Sequence, residues 1–271
     1  MKLFGVSQDP VIRRSAPLLT SLLAFSTCLP QIQANEDLAD VLKTFGAGVI
    51  THKSDSADVT AVEEFVSADL DDRVFLIVEG DGRGKGLDFK VEAQADDQSI
   101  HLIHMGKNQV STILFNSSNL YRSQEVDDDT SSIARFTPAE PVLLSKQSTG
   151  TPVHSEIEVA VTSISKPSEI THRGKLKCTY EVLGTFEVKS PVGVFETICI
   201  RTQYKGSVGP ADIDDSRYVF FAKESGPIAL RTASHIQAMI FYNKTKKQSL
   251  LLHSCDFKSA TPPAPPVQPA Q

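Results

Sequence analysis

The chain has 271 residues, 40% hydrophobic and 22% charged, the proportions of an ordinary globular protein and not of a fibrous or wholly disordered one. Its formal charge of −6 at pH 7 argues against nucleic acid or anionic lipid headgroups as its main partner, because both attract a basic face.

Residues 1–34 have the order of a cleavable secretory signal. Lys2, Arg13 and Arg14 precede an apolar stretch from Ala16 to Phe25, and Ile32-Gln33-Ala34 supplies a cleavage site. Cleavage there removes those three basic residues and the acidic Asp9, so −6 becomes −8. The apolar stretch falls short of the roughly 20 residues that cross a bilayer and no later segment comes closer, so no transmembrane segment is expected. The expected location is the periplasm, with an extracellular site or a lipid anchor at Cys28 as alternatives. Phe25-Ser26-Thr27 before Cys28 departs from the small residue favoured at such an anchor.

Leu38, Val41, Leu42 and Phe45 fall at i, i+3, i+4 and i+7, which predicts a short helix ended by Gly46 and Gly48. Thr60 and Glu63 have the spacing of a capping box and predict a second helix with Val62, Phe65 and Val66 on its apolar side. From Val74 the period becomes two. Val74 to Val78 reads as a strand covered on both faces, and Leu87, Phe89, Val91 and Ala93 alternate with polar residues as in a strand with one wet face. Further strands are expected near 100–105 and 110–115. Residues 125–152, with Asp127-Asp128-Asp129, Pro138, Pro141, Gly150 and Pro152, predict a long surface loop or a connection between lobes. Alternation resumes at Ile157, continues through Leu176, Cys178, Tyr180 and Val182, and passes Gly184, a bulge position, to Phe186 and Val188. More strands follow to residue 257, and a Pro-rich tail at 258–271 reads as disordered. The expected fold class is therefore mainly β: a curved antiparallel sheet, half-barrel or two-lobed, with short N-terminal helices. The β-rich region spans 35–257, with 35–124 and 153–257 as its lobes if there are two.

Little in the sequence carries chemistry. Gly80-Asp81-Gly82-Arg83-Gly84-Lys85-Gly86 lacks the order of a dinucleotide site and the Ser or Thr of a P-loop, and predicts a flexible hairpin. His101 and His104 point to opposite faces of a strand and cannot share a metal; the other histidines are scattered. Neither Asp127 to Asp129 nor Asp212, Asp214 and Asp215 has a spacing that marks paired catalytic carboxylates. No catalytic residue, metal or cofactor is expected. For disulfides the candidates are Cys178 with Cys255 or Cys199 with Cys255, since strand parity points Cys178 inward and Cys199 outward.

Gly184 to Thr197, with its Pro191-Val192-Gly193-Val194-Phe195 turn, and Tyr218 to Ile228 downstream resemble bacterial periplasmic proteins similar in fold to the LolA/LolB lipoprotein carriers. The resemblance covers about residues 175–232. It implies a curved antiparallel sheet holding acyl chains against helices in its concavity; the chain departs from the carriers in its acidic connection and in having no Trp. The expected function is a non-enzymatic envelope protein that binds an apolar ligand, such as a lipid, or a partner protein. The alternatives are an exported hydrolase using the two acidic loops and a structural or adhesive module.

Overall fold

Each run of period two forms a strand in the computed structural model, which describes residues 36–66, 72–94, 97–116, 118–238 and 242–255. The expected signal at 1–34 with Cys28, and the Pro-rich tail at 258–271, lie outside those residues. In chain order the elements are α1 (Leu38–Thr44), β1 (Ile50–Ser54), β2 (Asp58–Val59), a 3-10 turn (Val62–Phe65), β3 (Arg73–Glu79), β4 (Gly86–Gln94), β5 (Asp97–Met105), β6 (Gln109–Asn116), β7 (Asn119–Asp127) and β8 (Ser132–Leu144). There follow β9 (Gln147–Ser148), β10 (Val153–Ser163), β11 (Lys166–Ser190), β12 (Gly193–Val208), β13 (Ala211–Ala222), β14 (Gly226–Ala238) and β15 (Tyr242–Cys255).

Strands β3 to β8 and β10 to β15 pair antiparallel in chain order, and β15 returns to β3 with Leu250 opposite Ile77 and Leu252 opposite Phe75. The result is a closed twelve-stranded up-and-down barrel rather than the expected half-barrel or curved sheet. Alternation within a strand is the same in an open and a closed sheet. Only the pairing of the first barrel strand with the last closes it, and that contact leaves no local trace.

The expected connection at 125–152 is built instead from the end of β7, all of β8 and β9, with a turn at 128–131 between β7 and β8. Its prolines are tolerated because β10 pairs with β8 only as far as Thr137, leaving Pro138 and Pro141 on a stretch with one free side. Strands from both expected lobes thus enter one wall.

Helix α1 forms as predicted. Asp37 caps it by accepting from the Ala39 amide at 3.2 Å, and Gly46 and Gly48 follow at φ +108° and +73°. The second helix shrinks to the single turn Val62–Phe65. Thr60 bonds Glu64 Oε1 at 3.2 Å rather than closing a capping box with Glu63.

The bulge at Gly184 changes which face the following residues occupy. Val182 is opposite Ile200 but Gly184 is opposite Cys199, so Leu183 is the extra residue and the alternation shifts by one. Cys178, Tyr180 and Val182 face the lumen, whereas Phe186 and Val188 face outward, under α1 and beside β1, which pairs along the edge of β11. Gly184 has φ +139°, and a Cβ there would lie 2.4 Å from the Ser54 carbonyl oxygen. Gly184→Ala is expected to cost about 1–3 kcal/mol, read as a lower urea midpoint.

Elsewhere the outer wall is charged. Glu156, Glu158, Lys175 and Lys177 point outward, with Lys175 Nζ 2.6 Å from Glu156 Oε1. That is the reverse of a membrane-spanning barrel, whose outward band is apolar. No helix among the described residues is long and apolar enough to cross a membrane.

Candidate functional site

Antiparallel register places directly opposed residues on the same face, so the lumen can be read row by row. Phe221 with Leu252 and Phe75 lies toward one end, and Val219, Leu230, Leu250 and Ile77 form the next row. Arg217, Thr232 and Gln248 follow, and then Tyr204, Asp215, Ser234 and Lys246. The wall therefore grades from aromatic to aliphatic to charged. Across from it, β4 and β5 present Phe89, Val91, Ile103 and Met105, and β6 and β7 present Gln109, Ser111, Glu125 and Asp127 in the same rows, with Phe115 further along β6.

A segment from Ala57 to Val66 lies across the apolar end. Lys146 N donates to Val59 O at 2.6 Å and Glu224 N to Glu64 O at 2.6 Å, tying the segment to the β8–β9 and β13–β14 turns. Phe65 is 3% exposed and projects, with Val66, onto the space below. Ile157, Val159, Leu176, Cys178, Tyr204 and Val208 fill the β10–β12 side of the lumen. What remains is a cavity of about 490 Å³ against β3–β7 and β13–β15.

The charges inside are largely spent on one another. Glu140, 2% exposed, accepts from Arg122 Nε and, at 3.4 Å, from Arg217 Nη1. Arg122 also bonds Glu125, which accepts from Gln109 Nε2 at 2.9 Å, and its guanidinium lies 5.1 Å from the centre of the Phe136 ring. Asp215 is held above the ordinary carboxylate range, chiefly by burial, against the lowering effect of its Ser234 hydrogen bond and Arg217. One of its carboxyl oxygens has no hydrogen-bond partner among the described residues.

The two acidic runs meet only in part. Asp127 and Asp215 both reach the lumen. Asp127 Oδ1, however, accepts the Thr130 amide of its own turn, Asp129 bonds Asn108 Nδ2 at 2.7 Å, and Asp214 pairs with Lys205 at 3.2 Å. His101 faces the lumen while His104 lies 3.4 Å from Glu92 on the other face. No group of His, Cys, Asp or Glu among the described residues is placed to hold a metal ion. The Gly80–Gly86 segment is the β3–β4 hairpin turn, with Gly84 N donating to Ile77 O at 2.8 Å.

Cys178 faces the lumen and Cys199 the outer wall, as parity predicts, yet both are buried, Cys199 because α1 covers that face. Burial pushes the Cys178 thiol up to about 12 and raises that of Cys199 further, so neither is a ready nucleophile. The register does not bring the candidate disulfide partners together. Two strands separate Cys199 from Cys255 and three separate Cys178 from it. At about 4.8 Å per strand the nearer pair is roughly 14 Å apart around the wall, against the ~7 Å limit for a bridge.

No protein-family model matches the chain, and no curated protein does. Among solved structures, a candidate lipoprotein from Parabacteroides distasonis is 10% identical with a TM-score of 0.35, over 74% of this chain and 100% of that one. A candidate exported protein with a YmcC-like fold, from Bacteroides fragilis, is 11% identical with a TM-score of 0.30, over 71% and 98%. At that distance the function has to be read from the lumen itself. The LolA/LolB arrangement, with helices inside a concave sheet, is not what the chain adopts, because α1 packs on the outside of a closed wall.

Proposed function

We propose that the protein is a non-enzymatic binding shell that encloses an apolar ligand in its barrel lumen, and that it acts in the periplasm, to which residues 1–34 direct it. The observation that carries this is the cavity of about 490 Å³ walled by Val219, Leu230, Leu250, Ile103 and Phe89 and shut at one end by Phe65. Closed barrels of this kind hold small ligands where side chains do not fill them, and pockets of ~300–1,000 Å³ suit such ligands. Carriage of an acyl chain is the particular form that the sequence resemblance favours, here inside a closed wall rather than against helices in a concave sheet. Hydrolysis by the acidic runs is less favoured, since Asp127 is occupied by its own turn and Asp129 and Asp214 are engaged outside the cavity.

Leu230→Trp tests the shell by filling it. The variant is expected to keep the circular dichroism spectrum of the parent while binding N-phenyl-1-naphthylamine, a small neutral apolar dye, about 10-fold more weakly. A parent protein that binds no apolar dye in titration rules the shell out.

A further inference from the structure

The cavity is graded as well as apolar, and the gradient says what kind of molecule fits. From the Phe221 row to the Asp215 row is six residues of β13, or about 20 Å at ~3.4 Å per residue. Its volume of 490 Å³, at roughly 30 Å³ for each water-sized group, holds about 16 non-hydrogen atoms. One unbranched chain meets both limits; a lipid with two chains does not.

At the polar end most of the acids are engaged, and two cations keep N–H donors to spare. Glu140 and Glu125 are taken by Arg122, and Asp127 by the Thr130 amide. Arg217 reaches Glu140 at 3.4 Å through Nη1 alone among the described residues, and its five-donor guanidinium keeps other N–H groups for a ligand. Lys246, opposite Ser234 in the register, lines the cavity and has no ion-pair partner among the described residues. The unpartnered oxygen of Asp215 sits in the same row.

Building on the shell reading above, we propose that the ligand is a single-chain amphiphile with an anionic head, its chain along the Val219, Leu230 and Leu250 wall and its head between Arg217 and Lys246. The acidity of the whole chain disfavours an anionic surface as partner, but it does not govern one head group drawn to a local pair of cations. A carboxylate and a phosphate head share the required chemistry.

The test is calorimetric titration of the purified full chain with decanoate, decyl phosphate, decanol and dispersed didecanoyl phosphatidylglycerol. Decanoate or decyl phosphate is expected to bind one to one, at least about 10-fold more tightly than decanol, and the better of the two names the head. Lys246→Glu, at an exposed mouth position, is expected to remove that preference. Equal binding of decanol and the anions, or no effect of Lys246→Glu, overturns the anionic head and leaves the shell standing. Tight one-to-one binding of the two-chain lipid overturns the single chain. Failure of every probe, the apolar dye included, removes the shell itself.

Discussion

Arg231→Met is expected to lower the thermal unfolding midpoint by roughly 6–12 °C, from a loss of about 3 kcal/mol at ~2–4 °C per kcal/mol for a protein of this size. Arg231 is 1% exposed on the outer wall, in a row running Glu181, Arg201, Tyr218, Arg231, Ser249 and Glu79 across β11 to β15 and β3. Its guanidinium grips Glu36 with two bonds, 2.9 Å from Nε and 2.8 Å from Nη2, and reaches Glu79 at 2.6 Å and Ser249 at 3.0 Å. Tyr218 adds a bond to the Glu36 carbonyl at 2.8 Å and Lys247 one to its carboxylate at 2.6 Å. This clamp fixes the segment that brings α1 down onto Phe220, where Phe45 meets it edge-on at 6.0 Å. The expected loss lies at the low end of the ~3–5 kcal/mol for breaking a buried ion pair, because Glu36 and Glu79 lie near enough to the surface to regain water. A midpoint unchanged within 1–2 °C, on the order of the precision needed to resolve ~0.5 kcal/mol, would show that the clamp is idle.

The same clamp gives a pH dependence. Burial raises the Glu36 carboxyl, but the hydrogen bonds and charges of Arg231 and Lys247 together outweigh it and hold the group below its ordinary 4.5. A carboxyl lowered in the folded state contributes stability above its unfolded pKa and loses it as pH falls through the folded one. The difference between parent and Glu36→Gln is therefore expected to be full at pH 6–7 and to shrink once the pH drops below about 4.5. A gap that persists unchanged at pH 3 would mean that packing, not charge, holds the segment.

Glu140→Leu is expected to cost about 4 kcal/mol, the second large effect, because it leaves Arg122 and Arg217 facing each other inside the barrel without the carboxylate that joins them. Glu140→Gln keeps an acceptor for Arg122 and is expected to cost about half as much. Guanidinium unfolding of both variants measures the difference. Equal losses would show that shape, rather than the acceptor, matters at this position. The carboxylate lies on β8, within the stretch whose acidic residues and prolines predict a surface loop. Nothing in the local pattern marks Glu140 as buried, since its partners come from β7 and from β13, 77 positions away in the chain.

Helix α1 was legible because its apolar spacing and its cap are local, and β4 because its alternation is unbroken. The turn at Val62–Phe65 was overread, since a capping signal says where a helix can start and not whether the next turns will find a surface to pack on. Phe186 and Val188 share the parity of Tyr180 and Val182, and it took the paired strand to show that one extra residue sends them to the other face. The lumen was harder still. Leu230, Arg217 and Lys246 belong to three strands, and no spacing in the chain announces that they line one space.

By itself the sequence determined that the chain is mainly antiparallel strands with α1 before them, because periods of two and 3.6 are set by backbone geometry alone, while the second helix it predicted is a single 3-10 turn. It also set which residues share a face along each unbroken run of alternation. Whether the faces enclose a space was decided only in three dimensions, by β15 finding β3, and that pairing turned a row of half-wet strands into a wall with an inside. The graded lumen, the Arg231 clamp and the buried Glu140 all follow from that closure, because each joins side chains that only a circular neighbourhood makes neighbours.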